Sequence, residues 1–258
     1  MVEECRDVLA RCEESATVVV IEGLPEVFCF GLDFQTVGQA RGASALRASS
    51  GAGALGEGAA EAVGAAKFAP TTAPLEGAEG AEGAEGPEPL YDLWTQLAAG
   101  SFVSVARVQG KVNAGGVGFV AACDIVLSDE SAVFSLSELL FGLMPAIVMP
   151  FLVRRVGFQR AHYLTLMTKP ITARRAFELA LVDDCDANIE SLLRMHLLRL
   201  RRLSKAAVGR YKRYMGDVND SLRQLRPLAT RANRDVFSDP SNLEKITRFV
   251  QTGQFPWE

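Results

Sequence analysis

The stretch Thr17–Gly23, TVVVIEG, is an unbroken β-branched run closed by a glycine. A strand with one wet face alternates apolar and polar residues, whereas a continuous run of this kind belongs to a strand buried on both faces. A second run, SFVSVARVQG, also ends at a glycine. Helical periodicity surrounds both. Val2, Cys5, Val8, Leu9 and Cys12 recur at helical spacing, LYDLWTQLAAG reads as a helix, and VGFVAACDIVLSD reads as a helix passing into a strand. AVFSLSELLFGL is expected to run extended, then loop, then turn. PFLVRRVGFQRAHYLTLMT reads as one amphipathic helix and TARRAFELALV as another, with Thr172 as its N-cap. From Ala187 onward the pattern is wholly helical. Strand–helix alternation followed by helices predicts an α/β fold with a helical tail.

Composition narrows the function. Over 258 residues the net charge is −4, so the molecule as a whole is not built to bind nucleic acid. The cysteines (Cys5, Cys12, Cys29, Cys123 and Cys185) are odd in number and scattered, as expected of reduced thiols in a cytosolic protein. Two histidines, His162 and His196, are too few for a histidine-rich metal site, and no metal is expected. The opening MVEECRDVLARCEES is charged and helical, unlike a signal peptide. No apolar run approaches the roughly 20 residues that span a bilayer, so no membrane partner is expected. From about Ala43 to Pro89 the composition turns to Ala, Gly and Glu, with a Gly-Ala-Glu triplet repeated over Gly77–Glu85. This stretch reads as a flexible insertion, with weak helix around Ala59–Lys67, serving either as a plain solvated loop or as a mobile lid.

Two glycine-bearing segments, FCFGLDF and NAGGVGF, each follow a strand-like run. Backbone at glycine approaches a ligand without side-chain obstruction. If the second segment opens a helix, its first N–H groups lack internal partners and sit at the positive end of the dipole. Two such groups converging on one oxygen form an oxyanion hole, which polarises a thioester carbonyl and stabilises its enolate. The competing explanation is tight packing of helix against strand. The spacing is neither a dinucleotide fingerprint nor a phosphate loop.

The order FCFGLDF, then VQGKVNAGGVGFVAACDIVLSDESAVFSLSELLFGLMP, then TARRAFELALVDD resembles the enoyl-CoA hydratase (crotonase) superfamily. In wording it is closest to the hydratase-like dehydratases of polyketide β-branching cassettes. The resemblance implies a repeated ββα spiral core over 1–186, interrupted at about 43–89, and a C-terminal helical trimerisation region over 187–258. It implies oxyanion N–H groups at Leu32 and Gly115. Of the two hydratase glutamates, one position holds Gly118 and the other retains Glu138. The activity implied is dehydration of a 3-hydroxy-3-methylglutaryl group on an acyl carrier protein to the 3-methylglutaconyl thioester. Glu138 takes the α-proton and returns it to the leaving oxygen, its carboxyl raised by Leu136, Leu139 and Leu140. Lys111 and Asn113 are candidates for the substrate's distal carboxylate, with Asn113 alternatively a helix cap. Asp33 is expected to fix its own turn, His162 to be structural and His196 exposed.

No cofactor is implied beyond the phosphopantetheine, or CoA, that carries the substrate. The partners implied are an acyl carrier protein and copies of the chain, as trimer or hexamer, in the cytoplasm. The basic run LLRMHLLRLRRLSKAAVGRYKRYMG carries Arg194, Arg199, Arg201, Arg202, Lys205, Arg210, Lys212 and Arg213. It is either a solvated face or the dock for the carrier protein and its phosphate. Relatives of this kind begin with a strand pair ahead of the first helix; here either the start is set too late or the fold tolerates an open sheet edge. Two other functions fit the motifs: the decarboxylase of the same cassette, which the retained Glu138 disfavours, and a non-catalytic trimeric scaffold.

Overall fold

The computed structural model describes residues 2–24, 26–29, 31, 63–67 and 86–258, with 63–67 described in backbone alone. A five-stranded sheet runs in the order β3 (Val63–Lys67), β1 (Val18–Glu22), β4 (Val103–Val108), β6 (Ile125–Ser128), β9 (Asp184–Cys185). All its pairings are parallel. A second sheet runs β2 (Val27–Cys29), β5 (Lys111–Asn113), β7 (Val133–Ser135), β8 (Ile171–Thr172), with only β7–β8 antiparallel. Consecutive strands alternate between the sheets: β1 then β2, β4 then β5, β6 then β7. The helices are α1 (Val2–Ser15), α2 (Glu88–Ala99), α3 (Gly115–Ala122), α4 (Met149–Val156), α5 (Phe158–Met167), α6 (Ala173–Glu178), α7 (Ile189–Leu200), α8 (Lys205–Val218), α9 (Ser221–Ser238) and α10 (Pro240–Thr252). The two turns that follow β5 and β7 therefore each close a ββα unit, the first with α3 and the second with α4.

The continuous apolar runs have the cause expected of them. Val19, Ile21, Ala106, Val108 and Val126 belong to the main core with Trp94, Phe102 and Phe151. Their neighbours Val18, Val20, Val103, Val105 and Leu127 pack on the opposite side against Leu192, Leu200 and Val208. Each strand thus buries both alternating sets of side chains, so both sets are largely apolar. Thr172 caps α6 as expected, its hydroxyl accepting from the Arg175 amide at 3.3 Å.

Several local expectations are corrected. Val63–Lys67 is a strand, not weak helix; it pairs with β1 residue for residue and forms that edge of the sheet. A Gly/Ala segment has little strand preference of its own, and the pairing supplies what propensity does not. Helix α2 starts at Glu88, inside the segment assigned to the insertion, while 43–62 and 68–85 lie outside the described residues. The long amphipathic helix after Pro150 is two, α4 and α5, because Gly157 at φ +83° closes one and opens the other. The basic run is also two helices, with Ser204 capping α8 by accepting from the Ala207 amide.

That basic run is not uniformly a solvated face. Lys212 is buried, with its ammonium 2.6 Å from Asp124 Oδ2 and donating to the carbonyls of Phe102 and Leu97 at 2.9 and 3.2 Å. Three donors meet three acceptors, the condition under which a buried cation is tolerated. The Lys205 ammonium donates to the Ala16 carbonyl at 2.8 Å, just past the end of α1. These two lysines tie α8 to the β-core, while Arg194, Arg199, Arg201, Arg202, Arg210 and Arg213 remain exposed.

Lys212→Met is expected to lower unfolding stability by about 3–5 kcal/mol, because Asp124 loses its buried partner. Urea unfolding checks this: the midpoint falls at unchanged slope. A variant as stable as wild type rules out the pair as a structural tie.

Candidate active site

Strands β2 and β5 pair side by side, and an irregularity between Val27 and Cys29 sets Cys29 opposite Val112. The extra residue in β2 brings the chain beyond it level with the chain beyond β5. Gly31 therefore lies against the Ala114–Gly115 peptide. A Cβ on Gly31, which sits at φ +80°, would stand 2.8 Å from Ala114 Cβ and 3.0 Å from Gly115 N. From the other side, a Cβ on Gly115 would stand 3.6 Å from Gly31 Cα. A side chain is thus excluded at Gly31, whereas at Gly115 a Cβ would make ordinary van der Waals contact. Leu32 and Asp33 lie outside the described residues.

Gly115 opens α3, and Ala114 before it holds φ +50°, ψ −117°, a conformation that a residue with a Cβ rarely adopts. Strain of this sort costs on the order of 1–3 kcal/mol and gathers at functional sites. It turns the chain from β5 into α3, leaving the first N–H groups of α3 free of helical acceptors and at the positive end of the dipole.

Glu138 starts a 3-10 turn, Glu138–Phe141, three residues after β7 ends. Its carbonyl accepts from the Leu143 amide at 3.1 Å, which fixes the backbone. The side chain is buried, and Oε2 has no hydrogen-bond partner. Burial pushes the carboxyl up from its ordinary 4.5 to about 7, against a smaller downward pull from the Glu138 and Ser137 backbone amides. Leu136 is buried as expected, but Leu139 is 37% exposed. A carboxyl poised near neutrality is suited to taking a proton and returning it.

Asn113 joins the two halves. Its Oδ1 accepts from the hydroxyls of Ser135 at 2.8 Å and Ser137 at 3.2 Å. It does not cap α3, whose N-cap is Ala114 with no side-chain bond. It holds the residue preceding Glu138 against the strand end that leads to Gly115. Lys111 is exposed and shares a strand face with Asn113, since Val112 between them points into the core. Burial raises the thiol of the neighbouring Cys29, against a smaller downward pull from the Gly31 amide, which donates to its Sγ at 3.4 Å.

The other candidates sit elsewhere. His162 is exposed on α5, stacked on Phe158 at 5.7 Å. His196 is half-buried on α7 rather than exposed, with Nδ1 2.9 Å from the Leu192 carbonyl. Among the described residues no group of three or more acidic, cysteine or histidine side chains is arranged to hold a metal.

Trp94 went unread in the sequence, where it is one aromatic in a helical stripe. It is fully buried on α2, and a Cβ on Gly118 would stand 2.3 Å from its Cη2. The space that a side chain at Gly118 would need, the position that the resemblance assigns to a hydratase's second glutamate, is thus filled by an indole. The contact joins residues far apart in the chain, and periodicity carries no signal for it.

The sequence profile of the enoyl-CoA hydratase/isomerase family matches residues 1–53 and 73–258. The bacillaene synthase dehydratase PksH of Bacillus subtilis (strain 168) is 48% identical over 259 residues, spanning 100% of this chain and 86% of that protein. The 2,3-dehydroadipyl-CoA hydratase of Escherichia coli (strain K12) is 36% identical over 93 residues, 36% of each chain. A crystal structure of a polyketide biosynthesis enoyl-CoA hydratase (pksH) from Bacillus subtilis superposes with TM-score 0.82, covering 99% of this chain and 88% of that one at 48% identity. An enoyl-CoA hydratase from Mycobacterium avium, 20% identical, shares the fold with TM-score 0.71 over 100% of this chain and 86% of its own.

Glu138 gives the pH dependence of stability a definite sign. Its folded pKa is raised, so its contribution is fully present below about 4.5 and is lost as pH rises through about 7. Relative to Glu138→Gln, wild type is expected to lose roughly 3 kcal/mol of stability between pH 4.5 and 8. Urea midpoints of both proteins across that range test it, and parallel curves count against a desolvated carboxyl.

Proposed function

The chain belongs to the enoyl-CoA hydratase/isomerase family, and on that premise we propose that it is a hydro-lyase dehydrating 3-hydroxy-3-methylglutaryl-acyl carrier protein to the 3-methylglutaconyl thioester in polyketide β-branching. The observation that carries this reading is the solitary buried Glu138, with no second carboxylate at Gly118. The thioester carbonyl accepts from the backbone N–H groups of Leu32 and Gly115. Glu138 takes the α-proton, and the electron pair passes to the enolate oxygen. As the enolate collapses, the C–O bond at the β-carbon breaks, Glu138 returns its proton to the departing oxygen, and water leaves with a new C=C bond. Asn113 holds the Glu138 turn in register, and Lys111, at the exposed end of the same strand face, meets the distal carboxylate.

The substrate arrives on the phosphopantetheine of the carrier protein in the cytoplasm. Exposed Arg201 and Arg202, between α7 and α8, support a docking surface for that acidic partner. Large exposed apolar side chains on α5 and α8, including Phe158, Leu166, Tyr211 and Tyr214, support assembly into a homotrimer or hexamer.

Incubation with 3-hydroxy-3-methylglutaryl-acyl carrier protein and mass spectrometry of the carrier tests the activity. Loss of one water is expected; loss of carbon dioxide when the dehydrated substrate is offered points to the decarboxylase, and an unchanged mass in both assays to a scaffold. Glu138→Gln should lower kcat by about 10²- to 10⁴-fold with little change in KM. Wild-type turnover in that variant removes Glu138 as the acid/base. Arg201→Glu with Arg202→Glu should raise KM for the carrier-bound substrate far more than for a pantetheine thioester, the more so at low salt. Equal effects on both substrates eliminate the docking role.

A further inference from the structure

The indole of Trp94 spans one turn of α3. A Cβ on Gly118 would meet its Cη2, Cζ2 and Cζ3 at 2.3, 2.5 and 2.7 Å, and a Cβ on Gly115 would stand 3.9 Å from Cζ2. The benzo edge is therefore in contact with Gly118 and reaches to the glycine assigned to the acyl carbonyl. The ring has no freedom to withdraw. It is fully buried, packed edge-on against Phe119 and Phe151, each with centroids 5.6 Å away.

Its polar atom is a second, independent observation. Nε1 is buried and has no hydrogen-bond partner. A donor left unmade in the interior is costly, and natural structures keep few of them. Within the indole, Nε1 lies on the Cζ2 side, the side nearest Gly115. A carbonyl held by the Gly115 amide has its β-carbon only two bonds from the carbonyl carbon. The side chain that stands where Cβ atoms on both Gly115 and Gly118 would point is the Trp94 indole, with its unused N–H.

We propose that Trp94 is a specificity-determining residue that contacts the substituted β-carbon of the acyl group. Its benzo edge packs on the β-methyl branch and its Nε1–H donates to the β-oxygen. The site in this way selects tertiary 3-hydroxyacyl thioesters over secondary ones. The inference rests on the dehydratase reading above. A methyl group in an apolar pocket discriminates by about 10- to 200-fold in kcat/KM, which sets the size of the effect.

The chain has two tryptophans, and Trp257 is 62% exposed, so the Trp257→Phe protein reports on Trp94 alone. In that protein kcat/KM is measured for 3-hydroxy-3-methylglutaryl- and 3-hydroxyglutaryl-acyl carrier protein, with and without Trp94→Phe. The parent is expected to prefer the methyl-branched substrate by about tenfold or more, and Trp94→Phe to reduce that ratio by about tenfold. An unchanged ratio in a variant that still dehydrates overturns the role of Trp94 and leaves the dehydratase reading standing. A parent that dehydrates neither substrate overturns that reading and this inference with it. If Trp94→Phe does not fold, titration of the Trp257→Phe protein with 3-methylglutaconyl-pantetheine decides the matter. A saturable change in indole emission supports contact, and emission that does not respond at saturation excludes it.

Discussion

Everything at the candidate site hangs on three short parallel strands. β2, β5 and β7 lie side by side, and their C-terminal ends deliver Gly31, Asn113–Gly115 and Ser135–Glu138 to one edge of the second sheet. Parallel pairing makes this possible, because every strand then ends on the same side, and crevices at those ends are where open α/β sheets bind ligands. The hydrogen bonds from Ser135 and Ser137 to Asn113 extend the pairing by one step, into the turn that carries Glu138. The separation of the Glu138 turn from the Gly115 segment is thereby set by strand spacing, a rigid quantity.

The site is also where the molecule departs from its most stable state. Ala114 holds a positive-φ conformation, Oε2 of Glu138 is buried without a hydrogen-bond partner, and Trp94 keeps an unused donor. Each departure costs stability, and proteins concentrate such costs where function needs a preorganised or perturbed group. They are held in place by the dense core around Tyr91, Trp94, Phe102, Phe134 and Phe151. The Tyr91 hydroxyl adds a 2.6 Å bond to the Leu222 carbonyl, which pins α2 to α9.

The C-terminal helices do two different things with the same kind of residue. Lys205 and Lys212 reach inward to carbonyls and to Asp124, while the arginines around the α7–α8 turn face water. A lysine is a compact ammonium with three donors on a long apolar stem, so it can be buried when three acceptors converge. The basic character of the run therefore overstates the charge available to a partner.

How much was legible depends on the range of the interaction. TVVVIEG announces a doubly buried strand because burial of both faces acts on every residue of the run. Thr172 announces a cap because its hydroxyl serves an amide three residues away. Glu138 and Gly115 could be named only through resemblance, since no local pattern marks a carboxylate as buried or a glycine as an oxyanion donor. The strand at Val63–Lys67, the burial of Lys212 and the meeting of Trp94 with Gly118 were beyond reach. By itself the sequence determined the α/β class, the doubly buried character of its central strands, and the glycine rather than a carboxylate at Gly118, all properties of residue identity and local period. Only the tertiary structure decided which buried groups go without partners and which backbones touch. Those are set by contacts between segments distant in the chain, whose energies no single segment contains.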